Sequence, residues 1–125
     1  MLSGLTRLLL PVIKRLFPGA GTPSAREAIA ANLTANLLGM GNAATPAGRR
    51  AIAELAACSP AKGKVTSDMI MLLVLNNSAL TLLPTTVLTL RAAAGSADAA
   101  SILPASLAAS AVSTVTAVIL GVIFR

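Results

Sequence analysis

Along residues 1–17, "MLSGLTRLLLPVIKRLF", apolar side chains recur at Leu2, Leu5, Leu8, Leu9, Val12, Ile13, Leu16 and Phe17. That spacing is one face of a helix. Arg7, Lys14 and Arg15 take the opposite face, so the segment reads as a basic amphipathic helix that lies in a membrane interface, kinked at Pro11. Charges on both sides of a short apolar run, with no cleavage site, set it apart from a signal peptide. Next, "PGAGTPSARE" (18–27) makes a turn and a helix start, with Ser24 and Glu27 at capping-box spacing. The helix runs through Ile29 and Leu33 to Leu37 and meets "GMGN", where two glycines and an asparagine stop it. "ATPAGRRAIAELAA" restarts it, with Thr45 as N-cap and Pro46 in the first helical position. The pattern therefore predicts two helical pieces with a break between them.

Beyond the polar, basic loop "CSPAKGKVTS" comes a charge-free run over 69–90, "MIMLLVLNNSALTLLPTTVLTL". As helix it would span roughly 33 Å, enough for a bilayer core. It is interrupted by "NNSALT" and by Pro84. A short loop, "RAAAGSADAAS", leads to the cleanest span, residues 104–124. There Ser106, Ser110, Ser113, Ala117 and Gly121 form a small-residue stripe, suited to close helix packing. Leu107, Val112, Val115, Ile119 and Val122 lie away from it and read as lipid-facing.

Composition moves this helical pattern into a membrane. Hydrophobic residues make up 55% of the 125 and charged residues only 11%, against about 25% charged in soluble domains. The fold class expected is all-α: an integral, multi-pass helical membrane protein with broken helices. The net charge of +6 does not point to nucleic acid. Its basic residues flank apolar runs, and there is no Trp or Tyr for base stacking. With no histidine, one cysteine (Cys58) and four acids (Glu27, Glu54, Asp68, Asp98), the chain has almost no stock for a metal or cofactor site, or for His-based catalysis. It carries no nucleophile–base pair and no phosphate-cradling motif, so it does not read as an enzyme. Asp68 reads as a helix-start charge, Arg91 as a snorkelling residue, Arg49 and Arg50 as topology signals, and Cys58 as an inert thiol.

Loop charge sharpens the topology. Arg7, Lys14, Arg15 and Arg26 against Glu27 give one basic region; Arg49, Arg50, Lys62 and Lys64 against Glu54 give a second; Arg91 and Asp98 cancel. The positive-inside rule places both basic regions in the cytoplasm. A single crossing by residues 28–48 would separate them. A re-entrant hairpin over about 25–57, with "GMGN" at its tip, keeps them together. Its tip must be buried in protein or line a wet cavity, because lipid cannot satisfy free backbone groups.

Broken helices at membrane depth build binding sites from freed backbone groups and half-helix ends. The first break offers Asn36, Gly41, Asn42 and Thr45; the second offers Asn76, Asn77, Ser78 and Thr85. Both run Asn, small residues, Thr, Pro ("GNAATP" and "NNSALTLLP"), a faint internal repeat. Uncharged amides and hydroxyls suit a neutral polar ligand, such as a nucleoside, or a weakly held cation. Taken singly, each residue is better read as a helix cross-link, contributing about 0.6 kcal/mol. The pairing of two breaks is what points to a site.

The stretches "GLTRLLLPVIKRLFPGAG", "NLLGMGNAATPAGRRAIAEL" and "SDMIMLLVLNNSALTLLPTTVLTLRAAAGSADAASILPASLAAS" together closely resemble the spore maturation protein A family, of the gate or nucleoside-recognition group. Asn36, Gly41, Asn42, Thr45, Pro46, Asn76, Ser78, Pro84 and Thr85 fall in the matching blocks. The pattern sets an interfacial helix over 1–17 and a membrane domain over 18–125, with spans at about 68–91 and 102–124, and the resemblance implies that this domain is gate-like. It implies a plasma-membrane location and support of spore-core dehydration but no transported substrate; movement of a small polar or nucleoside-like solute is the expectation raised by the two polar breaks. The alternative is a non-transporting membrane scaffold, or a truncated member of the family. The partners implied are the lipid bilayer and a sister gate-domain protein (spore maturation protein B-like) or further copies of the chain. Family members usually carry membrane segments upstream of "GLTRLL", which this sequence lacks. Two spans and one hairpin can hardly enclose a pathway without such partners.

Overall fold

A computed structural model describes residues 2–78, 81 and 83–124; residues 79, 80 and 82, within the expected second break, lie outside the described residues. The described chain is helical, with no strand: α1 (Leu2–Leu16), α2 (Pro23–Leu37), α3 (Gly41–Cys58), α4 (Ser67–Asn77), α5 (Thr85–Ala93), a 3-10 turn (Ala99–Ile102) and α6 (Leu103–Ile123).

Helices α2 and α3 form an antiparallel hairpin. The Thr22 hydroxyl caps α2 by accepting from the Ala25 amide at 3.2 Å, and Pro23 fills the first helical position. The capping box expected at Ser24 is replaced by this cap two residues earlier. Ser24 instead donates to Glu54 Oε1 of α3 at 2.8 Å. The first break is a tight helix stop. Gly39 takes a left-handed φ of +66°, its amide donates to Asn36 O, and the Met40 amide reaches back to Ala35 O. This is the Schellman arrangement, in which glycine occupies the left-handed position at no steric cost. Helix α3 then starts at Gly41, not at Thr45. Thr45 donates back to Gly41 O at 3.3 Å, and Pro46 lies inside the helix. The turn proper is therefore residues 38–40, and Gly41 and Asn42 already belong to the first turn of α3. At the other end, Thr22 Oγ1 sits 3.5 Å from Cys58 Sγ. The hairpin thus ends where it began.

The second break also forms. Helix α4 is capped by Thr66, whose hydroxyl accepts from the Met69 amide at 3.3 Å. It stops at Asn77, and α5 begins after Pro84. The span expected over 68–91 is thus two helices of 11 and 9 residues. At 1.5 Å per residue neither is long enough to cross a bilayer core of about 30 Å.

The core joins the first four helices. Ile13 and Phe17 beside α1's end, Ile29 and Leu33 of α2, Ala51 and Leu55 of α3, and Met71, Leu72 and Leu75 of α4 form one buried cluster. The apolar face of α1 is therefore divided: Ile13 and Phe17 pack on protein, while Leu8 and Val12 remain exposed. Helix α6 lies against α4 through its small-residue stripe. Ser110 and Ala117 are buried, and a side chain added at Gly121 would meet Met71. Leu107, Val112, Val115, Ile119 and Val122 face outward as expected. Among the described residues one helical stretch, Ala99–Ile123, is long and apolar enough to cross a membrane.

Candidate functional site

Three asparagine amides converge where α2, α3 and α4 meet. On α2, Asn32 and Asn36 stand one turn apart. Asn36 Nδ2 donates to Asn76 Oδ1 of α4 at 2.7 Å. Asn32, 1% exposed, donates through Nδ2 to Ala44 O of α3 at 2.9 Å. Its Oδ1 is buried with no protein partner. Gly48 of α3 makes this approach possible. A Cβ there would stand 2.9 Å from Asn32 Nδ2 and 3.6 Å from Asn76 Nδ2. Beside the amides lies a cavity of about 600 Å³, lined by Asn32, Asn36, Gly41, Ala44, Thr45, Gly48, Arg49, Ile52, Ala53, Leu73 and Asn76. That volume falls within the range of small-molecule pockets.

Of the eight residues singled out from the sequence, Asn36, Gly41, Thr45 and Asn76 line this cavity. Thr85 does not line it but holds the two breaks together: its hydroxyl donates to Gly39 O at 3.1 Å, beside a backbone bond from Leu83 N to Leu37 O. Asn77 and Ser78 face a separate cleft between α4 and α6. There Asn77 donates to Leu73 O and Ser78 to Leu75 O within their own helix end. Asn42 is exposed on α3 and lines no cavity described here.

The chain is 35% identical over 121 residues, 96% of its length, to spore maturation protein A of Bacillus subtilis (strain 168). The chain belongs to the spore maturation protein A family. It spans 62% of the length of that curated relative. No family model and no solved structure matches it.

Within this family member, sequence reasoning missed Asn32, Gly48 and the position of Arg49. Asn32 carries a signal, because it lies one helical turn before Asn36 and so shares its face. Arg49, read as a topology signal, lines the cavity. It makes no hydrogen bond or ion pair among the described residues, and no acid stands in the lining. A guanidinium there opposes the weakly held cation that uncharged amides alone would suit. Arg91 also differs from expectation: it donates to Asp98 O at 3.3 Å and Ser101 Oγ at 3.1 Å, pinning the loop before α6. Asp68 is a helix-start charge, but a buried one, accepting from the Gly19 amide at 2.6 Å. The Thr22 hydroxyl beside Cys58 lowers that thiol's pKa, so it is not wholly featureless.

Proposed function

We propose that this chain is a membrane module of spore maturation that binds a small polar solute in the amide cavity and gates its movement. The observation that carries this reading is the 2.7 Å bond from Asn36 to Asn76, which joins the helix at one break to the helix at the other beside a cavity. Interrupted helices whose polar ends meet around a cavity are how many transporters hold substrate. The relative's name supplies the biological setting, spore maturation.

In this reading the hairpin enters the bilayer from the cytoplasmic face and returns to it, multi-pass topology being completed by other segments of the assembly. Arg49 and Arg50 bear on how. They lie half-way along α3, about 13 Å from its base at Cys58, not beside Lys62 and Lys64. Charges at such depth require a wet or protein-covered surface. The cavity face of α3 is then the watered side of the hairpin, and a sister gate-domain protein or a second copy of the chain closes it.

Flux into proteoliposomes tests the reading. Asn36→Ala and Asn76→Ala are each expected to reduce uptake of a small polar solute at least tenfold with the helical content retained, and Asn42→Ala to leave it unchanged. Equal loss in all three, or none, contradicts it. A second reading, a non-transporting scaffold, is favoured by the exposed apolar side of α6, where Val112 and Ile123 are 68% and 67% exposed. Normal spore maturation in a strain carrying both Asn36→Ala and Asn76→Ala would select it.

A further inference from the structure

We propose that the cavity takes a small anion that also carries an N–H donor. The inference rests on the cavity being a ligand site, as proposed above, and names the chemistry of what it holds. Its one charged lining group is Arg49, free of protein partners among the described residues and unopposed by any lining acid. This exposed guanidinium at the cavity rim favours an anionic group, with charge-assisted hydrogen bonds about twice as strong as neutral ones. The deep side offers the complementary polarity. Asn32 commits its Nδ2 to Ala44 O, which leaves Oδ1 as a buried acceptor with no partner. Asn36 gives one N–H to Asn76 Oδ1, and its own carbonyl oxygen can accept beside Asn32. A buried acceptor without a donor is costly, and a ligand N–H relieves that cost. The partnerless Asn32 acceptor on one side and a cation on the other select a molecule with an N–H and a negative charge a few bonds apart. Metal cations and amines are repelled.

Three probes separate these demands: N-acetylglycine (anion and N–H), N-acetylglycinamide (N–H without the charge) and N-acetylsarcosine (the charge without the N–H). Binding to the purified chain in detergent micelles is followed by ligand-observed NMR. N-acetylglycine is expected to bind about tenfold more tightly than either of the others. Arg49→Gln should bring it down to the level of the neutral amide, while Arg49→Lys keeps most of the preference. Ala53→Trp, at an exposed lining position, should exclude all three, with folding checked by circular dichroism. Equal binding of N-acetylglycine and N-acetylglycinamide, both lost in Ala53→Trp, would overturn the anion preference and leave the cavity reading standing. Loss of preference in Arg49→Lys as complete as in Arg49→Gln would overturn the charge argument. If N-acetylglycinamide, N-acetylglycine and N-acetylsarcosine all fail to bind, or all bind undiminished in Ala53→Trp, the ligand site itself falls, and the inference with it.

Discussion

Gly39 and Gly41 stand two positions apart in "GMGN", yet they do different things. Gly39 holds a left-handed φ, and a Cβ there would run into the Leu83 carbonyl of the second break. Gly41 is an ordinary helical position with open space around it. Gly39→Ala is therefore expected to destabilise the chain by about 1–3 kcal/mol, whereas Gly41→Ala should be neutral or stabilising by about 0.5–1 kcal/mol. Thermal unfolding in detergent reads the difference; equal shifts for the two would contradict the turn geometry. From sequence the two glycines were equivalent helix breakers, because propensity does not say which one takes the positive φ. Asn36 and Asn76 were legible, since each amide stands next to a break. Asn32 was not: it lies in an uninterrupted helical run, and only its neighbours in space, Ala44 and Gly48, give it a role.

Helix α2 and helix α3 meet at both ends of their hairpin, at the Gly39 turn and at the Thr22–Cys58 contact. The helix order and both breaks could be read from periodicity, glycine and proline. The caps could not, because several Ser and Thr compete within a few positions. Thr22 won over Ser24, whose hydroxyl found Glu54 across the hairpin. Thr45 lost its cap role because α3 starts a turn earlier and uses that hydroxyl on its own backbone. The base of the hairpin is directly testable. Thr22→Cys should form a disulfide with Cys58 under mild oxidant, seen as a loss of two hydrogens by mass and protection from maleimide. Two freely alkylated thiols after oxidation would mean that the hairpin is splayed at its base.

Among the described residues only the stretch Ala99–Ile123, which contains α6, is both long and apolar enough to cross a bilayer by itself, and α6 packs on α4 by its small residues while presenting branched apolar side chains outward. Around it the other described helices are too short or too polar to cross alone. That is physically tolerable at membrane depth only where protein or water covers the interrupted backbone. The sequence carried the charge asymmetry that argues for a returning hairpin. It could not carry the place of Arg49, which depends on how α3 turns against α2. In the proposed topology residues 22–58 dip into the bilayer and come back to the face they left. Single cysteines at positions 26, 42 and 64, placed in a Cys58→Ser background and probed in sealed vesicles with a membrane-impermeant maleimide, test it most directly. Positions 26 and 64 should label rapidly from the same side, and position 42, beside the tip, at least tenfold more slowly. Labelling of 26 and 64 from opposite sides, or of 42 as fast as both, would contradict the account.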